Sequence, residues 1–261
     1  MRAAPGFLLD VPIVKKGVRG LWKRLHWLIY GRYFVDKRKG LSLLFDLRNS
    51  MDKYLVAFGR HEDAQIDHLF ILARDFIGEG EPATFVDVGA HWGLYSLLAW
   101  KSRLFTEVIA IEADVRNARQ LEANLFLNDC GDEVRVIRGA ASDKAGKVDF
   151  METGSKDRST MRVLDQKGDA VHAQRARSVR AFRIEDEVPL QNSLLIIKID
   201  VEGHELAVIK GMKNLLRNNR CLLQVEVFDP SLEAFVATMD ELGYRLTTEI
   251  GPDRYFQNVL K

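Results

Sequence analysis

Two short runs of the sequence concentrate residue types that can do chemistry: Asp87-Val88-Gly89-Ala90-His91-Trp92-Gly93 and Asp200-Val201-Glu202-Gly203-His204-Glu205. The second places three carboxylates and an imidazole within six residues, a set suited to holding or moving a proton. Neighbouring carboxylates favour the charged form of a histidine, and a water-accessible imidazole relays protons near neutral pH. Asp200, Glu202 and His204 are therefore the candidate catalytic groups. A plainer role for His204 is that of a helix-start residue that orients Asp200. A further alternative has Asp200, Glu202 and Glu226 around a hard divalent cation, but these residues lack a fixed ligand spacing, and no metal ligand is assigned.

The first run lies between a strand pattern and a helix pattern. Thr84 to Val88 is apolar and β-branched on both faces, as in a strand buried within a parallel sheet. Gly89 and Gly93 bracket a turn, and Leu94, Leu97 and Leu98 follow at helical spacing. The glycines let backbone approach a ligand, and the new helix turns open N–H groups towards the crevice at the strand's carboxyl end. The spacing Gly-x-x-x-Gly departs from the Gly-x-Gly-x-x-Gly of dinucleotide sites, and no Gly-Lys-Ser/Thr follows to meet a triphosphate. Glu112, closing the run Val108-Ile109-Ala110-Ile111, can accept both hydroxyls of a ribose. Asp87 either shapes the pocket or caps the turn by accepting backbone N–H groups.

Asp87-Val88-Gly89-Ala90-x-x-Gly93 followed by Ile111-Glu112-Ala113-Asp114 resembles the nucleoside pocket of S-adenosylmethionine-dependent methyltransferases. The run Ile197-Lys198-Ile199-Asp200-Val201-Glu202-Gly203-His204-Glu205 narrows the resemblance to the FkbM family, over residues 80–245. His91 stands where that family more often has Asn. The resemblance implies an α/β, Rossmann-like class I methyltransferase fold with a mostly parallel central sheet and helices on both faces. It implies S-adenosyl-L-methionine as cofactor, held by Asp87, Gly89, Ala90, His91, Gly93, Glu112, Ala113, Ser142, Asp143 and Asp200, with Ser142 and Asp143 near the adenine. The expected reaction is O-methylation of a hydroxyl on a small molecule, sugar or lipid-linked glycan. The Asn/Asp-Pro-Pro-aromatic tetrapeptide of nitrogen methylation is missing after Ile199. Rival readings are a non-catalytic S-adenosylmethionine-binding module, and methylation of nucleic acid or protein.

The remaining elements must carry these groups. Strands are expected near 84–88, 108–112, 134–138, 194–200 and 221–227, with Asp114 capping a helix after the second. A helix from Ile66 to Ile77 precedes them, one helix carries Leu206, Ile209, Met212 and Leu216, and another carries Leu232 to Leu242. Tyr244–Ile250 and Tyr255–Val259 form a closing antiparallel pair. The polar insertion 146–186 alternates like strands of a side sheet, through Val179, Ala181, Phe182 and Ile184, and is the candidate acceptor-recognition region. The methyltransferase domain is expected over 61–261, after an extension, 1–60, in which Leu41–Leu47 and Tyr54–Phe58 read as two strands about an Asn49-Ser50 turn.

Within that extension, residues 15–33 interleave lysines and arginines with Trp22, Trp27 and leucines. A helix of this kind suits peripheral contact with an anionic membrane, or simply packs its apolar stripe on the main domain. The apolar run within it is too short to span a bilayer. A net charge of +1 over 261 residues gives no strong nucleic-acid signal. Two cysteines far apart suit a reducing, cytoplasmic compartment without a disulfide framework.

Overall fold

The structure, a computed structural model, describes residues 31–152, 161–163, 177–228 and 232–258. The chain divides into two compact units, on either side of the His61–Glu62 bond.

In the first unit, β1 (Tyr33–Arg38) and β2 (Leu41–Asp46) form an antiparallel hairpin. Its turn, Lys39-Gly40, takes positive φ at both residues, which matches the twist of the flanking strands. Helix α1 (Ser50–Phe58) follows, where a second strand was expected. The reason is local: Asn49 is an N-cap, its side chain accepting from the Met51 N–H, and Gly59 closes the helix in the left-handed region. The segment 15–33 lies mostly outside the described residues. Its end is not helical, for Arg32 is ion-paired to Asp46 and Tyr33 opens β1.

The second unit begins with α2 (Asp63–Phe76) and then alternates strand and helix: β3 (Ala83–Val88), α3 (Leu94–Ser102), β4 (Glu107–Glu112), α4 (Val115–Leu127) and β5 (Val134–Arg138). Strand β6 (Ala140–Ala141) leads into the insertion, with β7 (Gly146–Glu152), β8 (Met161–Val163) and β9 (Arg177–Phe182), then α5 (Ile184–Glu187). Strand β10 (Leu194–Ile199), helices α6 (Glu205–Lys210) and α7 (Lys213–Asn218), β11 (Arg220–Glu226), α8 (Leu232–Glu241), β12 (Tyr244–Ile250) and β13 (Asp253–Asn258) complete it. The main sheet has the order β12-β13-β11-β10-β3-β4-β5. Its five strands from β11 to β5 run parallel, and β12 and β13 are the antiparallel pair. The chain order reverses between β3 and β10, so the crevice at their carboxyl ends is the topological switch point of the sheet.

Alternation along the buried strands sends two different sets of side chains to the two faces. Val86, Val88, Ile109, Ile111, Leu195, Ile197, Ile199, Leu223 and Val225 share one core with Val208, Ile209, Leu215, Leu216, Phe235 and Met239 of α6, α7 and α8. Each such side chain contributes about 1.5–3 kcal/mol on burial. The opposite face is not wholly apolar, since Lys198 pairs laterally with Asp87 on one side and Gln224 on the other, a polar rung across β3, β10 and β11.

The insertion forms a second sheet, β6-β9-β7-β8. Ile184 belongs to α5, not to a strand, and the linkers 153–160 and 165–168 lie outside the described residues. The helix expected over 206–216 is two helices. Gly211 lies so close to the Ser142 carbonyl that a Cβ there would be 1.9 Å from its oxygen, and the chain breaks between Lys210 and Lys213. Among the described residues no helix is long and apolar enough to cross a membrane.

Candidate functional site

The turn after β3 is held against β4 by its own backbone. Gly89 and Ala90 both donate to the Ile111 carbonyl at 2.9 Å, and the His91 N–H donates to Glu112 Oε2 at 2.7 Å. Gly89 has φ of +82°, and a Cβ on it would lie 1.8 Å from the Asp200 carbonyl oxygen, so the turn also abuts the end of β10. His91 takes a φ of +53°, a region that Asn and His enter more readily than most residues. Trp92 is buried, with its carbonyl accepting from Asn124, and Gly93 packs on Leu121. Asp87 lies beneath the turn. Its Oδ2 accepts from the Ser96 N–H at 3.0 Å and the Ser96 hydroxyl at 2.6 Å, so one first-turn donor of α3 faces strand β3 instead of the crevice. Burial raises the Asp87 carboxyl above its usual range, against the pull of Lys198 and Ser96.

Glu112 ends β4 with only 6% exposure. Its Oε1 accepts from the Asp114 N–H and its Oε2 from the His91 N–H, each at 2.7 Å, and burial pushes the carboxyl up to about 7 despite these bonds. Asp114 caps α4 by accepting from the Arg116 and Asn117 N–H groups. Ala113 packs on Ala140. Gly139 donates to the Glu112 carbonyl at 2.9 Å, so the turn that carries Ser142 and Asp143 begins beside Glu112. The Ser142 N–H donates to the Phe182 carbonyl, tying this turn to the insertion.

At the end of β10, Lys198 Nζ pairs with Asp200 Oδ2 at 3.0 Å and lies 4.7 Å from the Tyr95 ring centroid. Burial alone would lower Lys198; Asp200, Asp87 and Glu62 outweigh it and hold it above its ordinary value. Glu202 has φ of +54°, and burial, followed by Asp200 and Glu205, raises its carboxyl to about 7. Two non-glycine residues in the left-handed region, His91 and Glu202, thus occupy the two loops that meet at the switch point, which is where backbone strain concentrates in functional sites. His204 precedes α6 and turns its Nε2 to the Ser142 hydroxyl at 3.0 Å. That contact joins the expected catalytic run to the turn expected near the adenine. Glu205 accepts from the Gly203 N–H and closes the loop.

Sequence reasoning missed a polar network under this loop. Tyr95 donates to Glu62 at 3.0 Å, and Gln224 Nε2 donates to the Tyr95 hydroxyl at 3.1 Å and to Asp253 at 2.7 Å. The available signal was a lysine and a glutamine inside otherwise apolar buried strands. Glu226 stands beside Asp200 at the ends of neighbouring strands β11 and β10, and burial, then Asp200, push Glu226 well above the carboxylate range. Among the described residues no group of three His, Cys, Asp or Glu is arranged to hold a metal ion.

The donor set fits a nucleoside with a free ribose diol. A carboxylate offers about four lone-pair positions, and two on Glu112 go to fixed backbone donors. The other two suit the diol, one of them presently met by the Asn117 side chain.

The Methyltransferase FkbM domain matches residues 87–246. A search of curated proteins finds no significant sequence match. Among solved structures, the human methyltransferase 10 domain containing protein aligns over 93% of this chain and 94% of its own, at 14% identity and a TM-score of 0.50. The methyltransferase FkbM from Methylobacillus flagellatus KT aligns over 67% of this chain at 17% identity and a TM-score of 0.47, and only 43% of its own length is covered. M. jannaschii TYW2 in complex with AdoMet aligns at 15% identity over 87% of each chain, with a TM-score of 0.42. The chain belongs to the FkbM methyltransferase domain family, with a class I methyltransferase fold and S-adenosylmethionine as its methyl donor.

Proposed function

We propose that the chain is an O-methyltransferase acting on a hydroxyl of a small molecule or glycan. The observation that carries this reading is Glu202, a carboxylate raised to about 7 beside Asp200 at the switch point, since a general base works best with a pKa near the working pH. S-adenosylmethionine supplies an electrophilic methyl on a sulfonium. The residues of the chain have two tasks: to align an acceptor with that methyl and to take the proton that an alcohol, with a pKa near water's value of about 15.7, does not lose unaided.

Glu112 is the proposed ribose ligand, with Gly89, Ala90, His91 and Gly93 shaping the wall beside it and Asp143 on the adenine side. Glu202 takes the hydroxyl proton. Asp200, neutralised by Lys198, borders it, and His204 leads the proton away along the Ser142 side of the loop. The insertion 146–186 is the proposed acceptor-recognition region, because its sheet is tied through Ser142 to the donor turn.

A panel of hydroxylated and amine acceptors with methyl-labelled donor tests this reading, followed by Glu202→Gln on the best acceptor. Loss of the base should cost about 10²–10⁴ in turnover and remove a rate limb that rises with pH through about 7, where Glu202 ionises. Label found only on amine acceptors, or a variant with the wild-type pH profile, overturns it.

A further inference from the structure

Two rungs of side chains cross the carboxyl end of the sheet. The lower is Asp87–Lys198–Gln224, set by direct register. Two residues on, where a strand returns to the same face, stand Gly89, Asp200 and Glu226. Carboxylates outnumber cations here. Lys198 is faced by Asp200, Asp87 and Glu62, while Glu226 is faced by Asp200, Lys198 and Asp253, and Glu202 by Asp200, Glu205 and Lys198. Two atoms of the lower rung, Asp87 Oδ1 and Gln224 Oε1, belong to fully buried side chains and have no hydrogen-bond partner among the described residues. Unsatisfied buried acceptors next to a carboxyl–carboxyl pair describe a site short of positive charge.

We propose that the Asp200–Glu226 pair senses the charge of the methyl donor: Glu226 keeps its proton while the crevice lacks a second cation and gives it to solvent when the sulfonium is bound. The O–H bond of Glu226 breaks, the proton passes to buffer, and the carboxylate left behind faces the cation. The inference rests on the donor lying at the switch point between β3 and β10. Its consequence is discrimination, because S-adenosylhomocysteine, a neutral thioether at the same atom, gives Glu226 no reason to ionise. Donor is then favoured over spent product, increasingly so as pH rises, and Glu226 recaptures a proton once the methyl has left. Gly89 gives this pair its close approach to the donor turn, since any side chain there would strike the Asp200 carbonyl.

Calorimetric titration of the wild-type chain with S-adenosylmethionine and with S-adenosylhomocysteine, in two buffers of different ionisation heat near about pH 8.5, where Glu202 is already ionised, measures the protons released by each. The expected result is roughly one proton more for the methionine form, with its affinity improving about tenfold per pH unit while the pair still holds its proton. Contributions from Glu112 are common to both nucleosides and cancel. Glu226→Gln should bind both with equal proton release. Equal release from the wild type, or a difference that survives in Glu226→Gln, overturns the proposal while leaving the donor site standing. Failure of either nucleoside to bind overturns the donor site and this inference with it.

Discussion

Replacing Glu112 by Ala removes one carboxylate with two roles to separate: the backbone bonds it accepts, and the ribose hydroxyls it is proposed to hold. Inside the protein it satisfies the His91 and Asp114 N–H groups at 2.7 Å each, and hydrogen bonds to charged groups contribute about 1.5–3 kcal/mol apiece. Against this stands the cost of keeping the group ionised in a buried place. Raised from 4.5 to about 7, it costs about 3 kcal/mol at neutral pH, at about 1.36 kcal/mol per pH unit. The value of about 7 already includes these two bonds, so the ionised group adds little net stability above pH 7, and Glu112→Ala should fold with a stability loss of at most about 3 kcal/mol. Because the folded-state value is raised, the stabilising form is the protonated one. The stability it brings is present below about 4.5 and is lost as pH rises through about 7. The gap between wild type and variant should therefore narrow over that window.

Binding lacks that offset. The ribose hydroxyls lose a charged acceptor, and S-adenosylhomocysteine affinity should fall roughly ten- to a hundredfold or more, since about 1.4 kcal/mol is one decade. Glu112→Gln should be no milder, because its amide would turn an N–H towards one of two backbone donors. Calorimetric titration with S-adenosylhomocysteine, paired with urea unfolding between pH 4.5 and 8, reads both effects. A folded Glu112→Ala protein with unchanged affinity would refute the ribose role, and a pH-independent stability gap would refute the burial argument.

Gly89→Ala should destabilise the fold, by backbone strain of about 1–3 kcal/mol at positive φ together with a similar overpacking cost against the Asp200 carbonyl; thermal unfolding measures it, and a wild-type Tm would contradict the close approach. Lys198→Met leaves Asp87 and Asp200 without their cation and should cost about 3–5 kcal/mol, read by urea denaturation. His204→Ala should lower turnover by about 10² or more with donor affinity nearly unchanged. An affinity loss at normal turnover would instead assign the His204–Ser142 contact to holding the adenine-side turn.

The parallel core was legible because buried parallel strands are runs of apolar residues ended by chemistry. Val108 to Glu112 and Leu194 to Asp200 each announce a strand and the group it delivers. Asp114 was legible as a cap for the same local reason. Asn49 shows the limit of such signals: Asn before Ser serves a turn or an N-cap equally well, and only the partner of β2 decides between them. That partner is Tyr33–Arg38, at the edge of a segment whose charge pattern suggested a helix. The break at Gly211 is equally invisible in sequence, since it depends on the Ser142 carbonyl, 69 residues away along the chain, arriving against the glycine.

The charge network is the deepest case of the same limit. Asp87, Lys198 and Gln224 are each single polar residues in apolar strands, and read one at a time each suggests a local compromise. Register turns them into a row, with Lys198 directly between the other two. Burial disfavours the charge on each of these two groups, and side by side each favours the charged form of the other, although burial still leaves Asp87 above its usual range. In the rung above, Asp200 takes the lysine, and burial together with Asp200 raises Glu226 well above the carboxylate range. What no linear reading can supply is this order of claims on one cation, because it depends on which strands are neighbours. The sheet order β11-β10-β3 sets it, and with it the charge at the carboxyl ends of these strands.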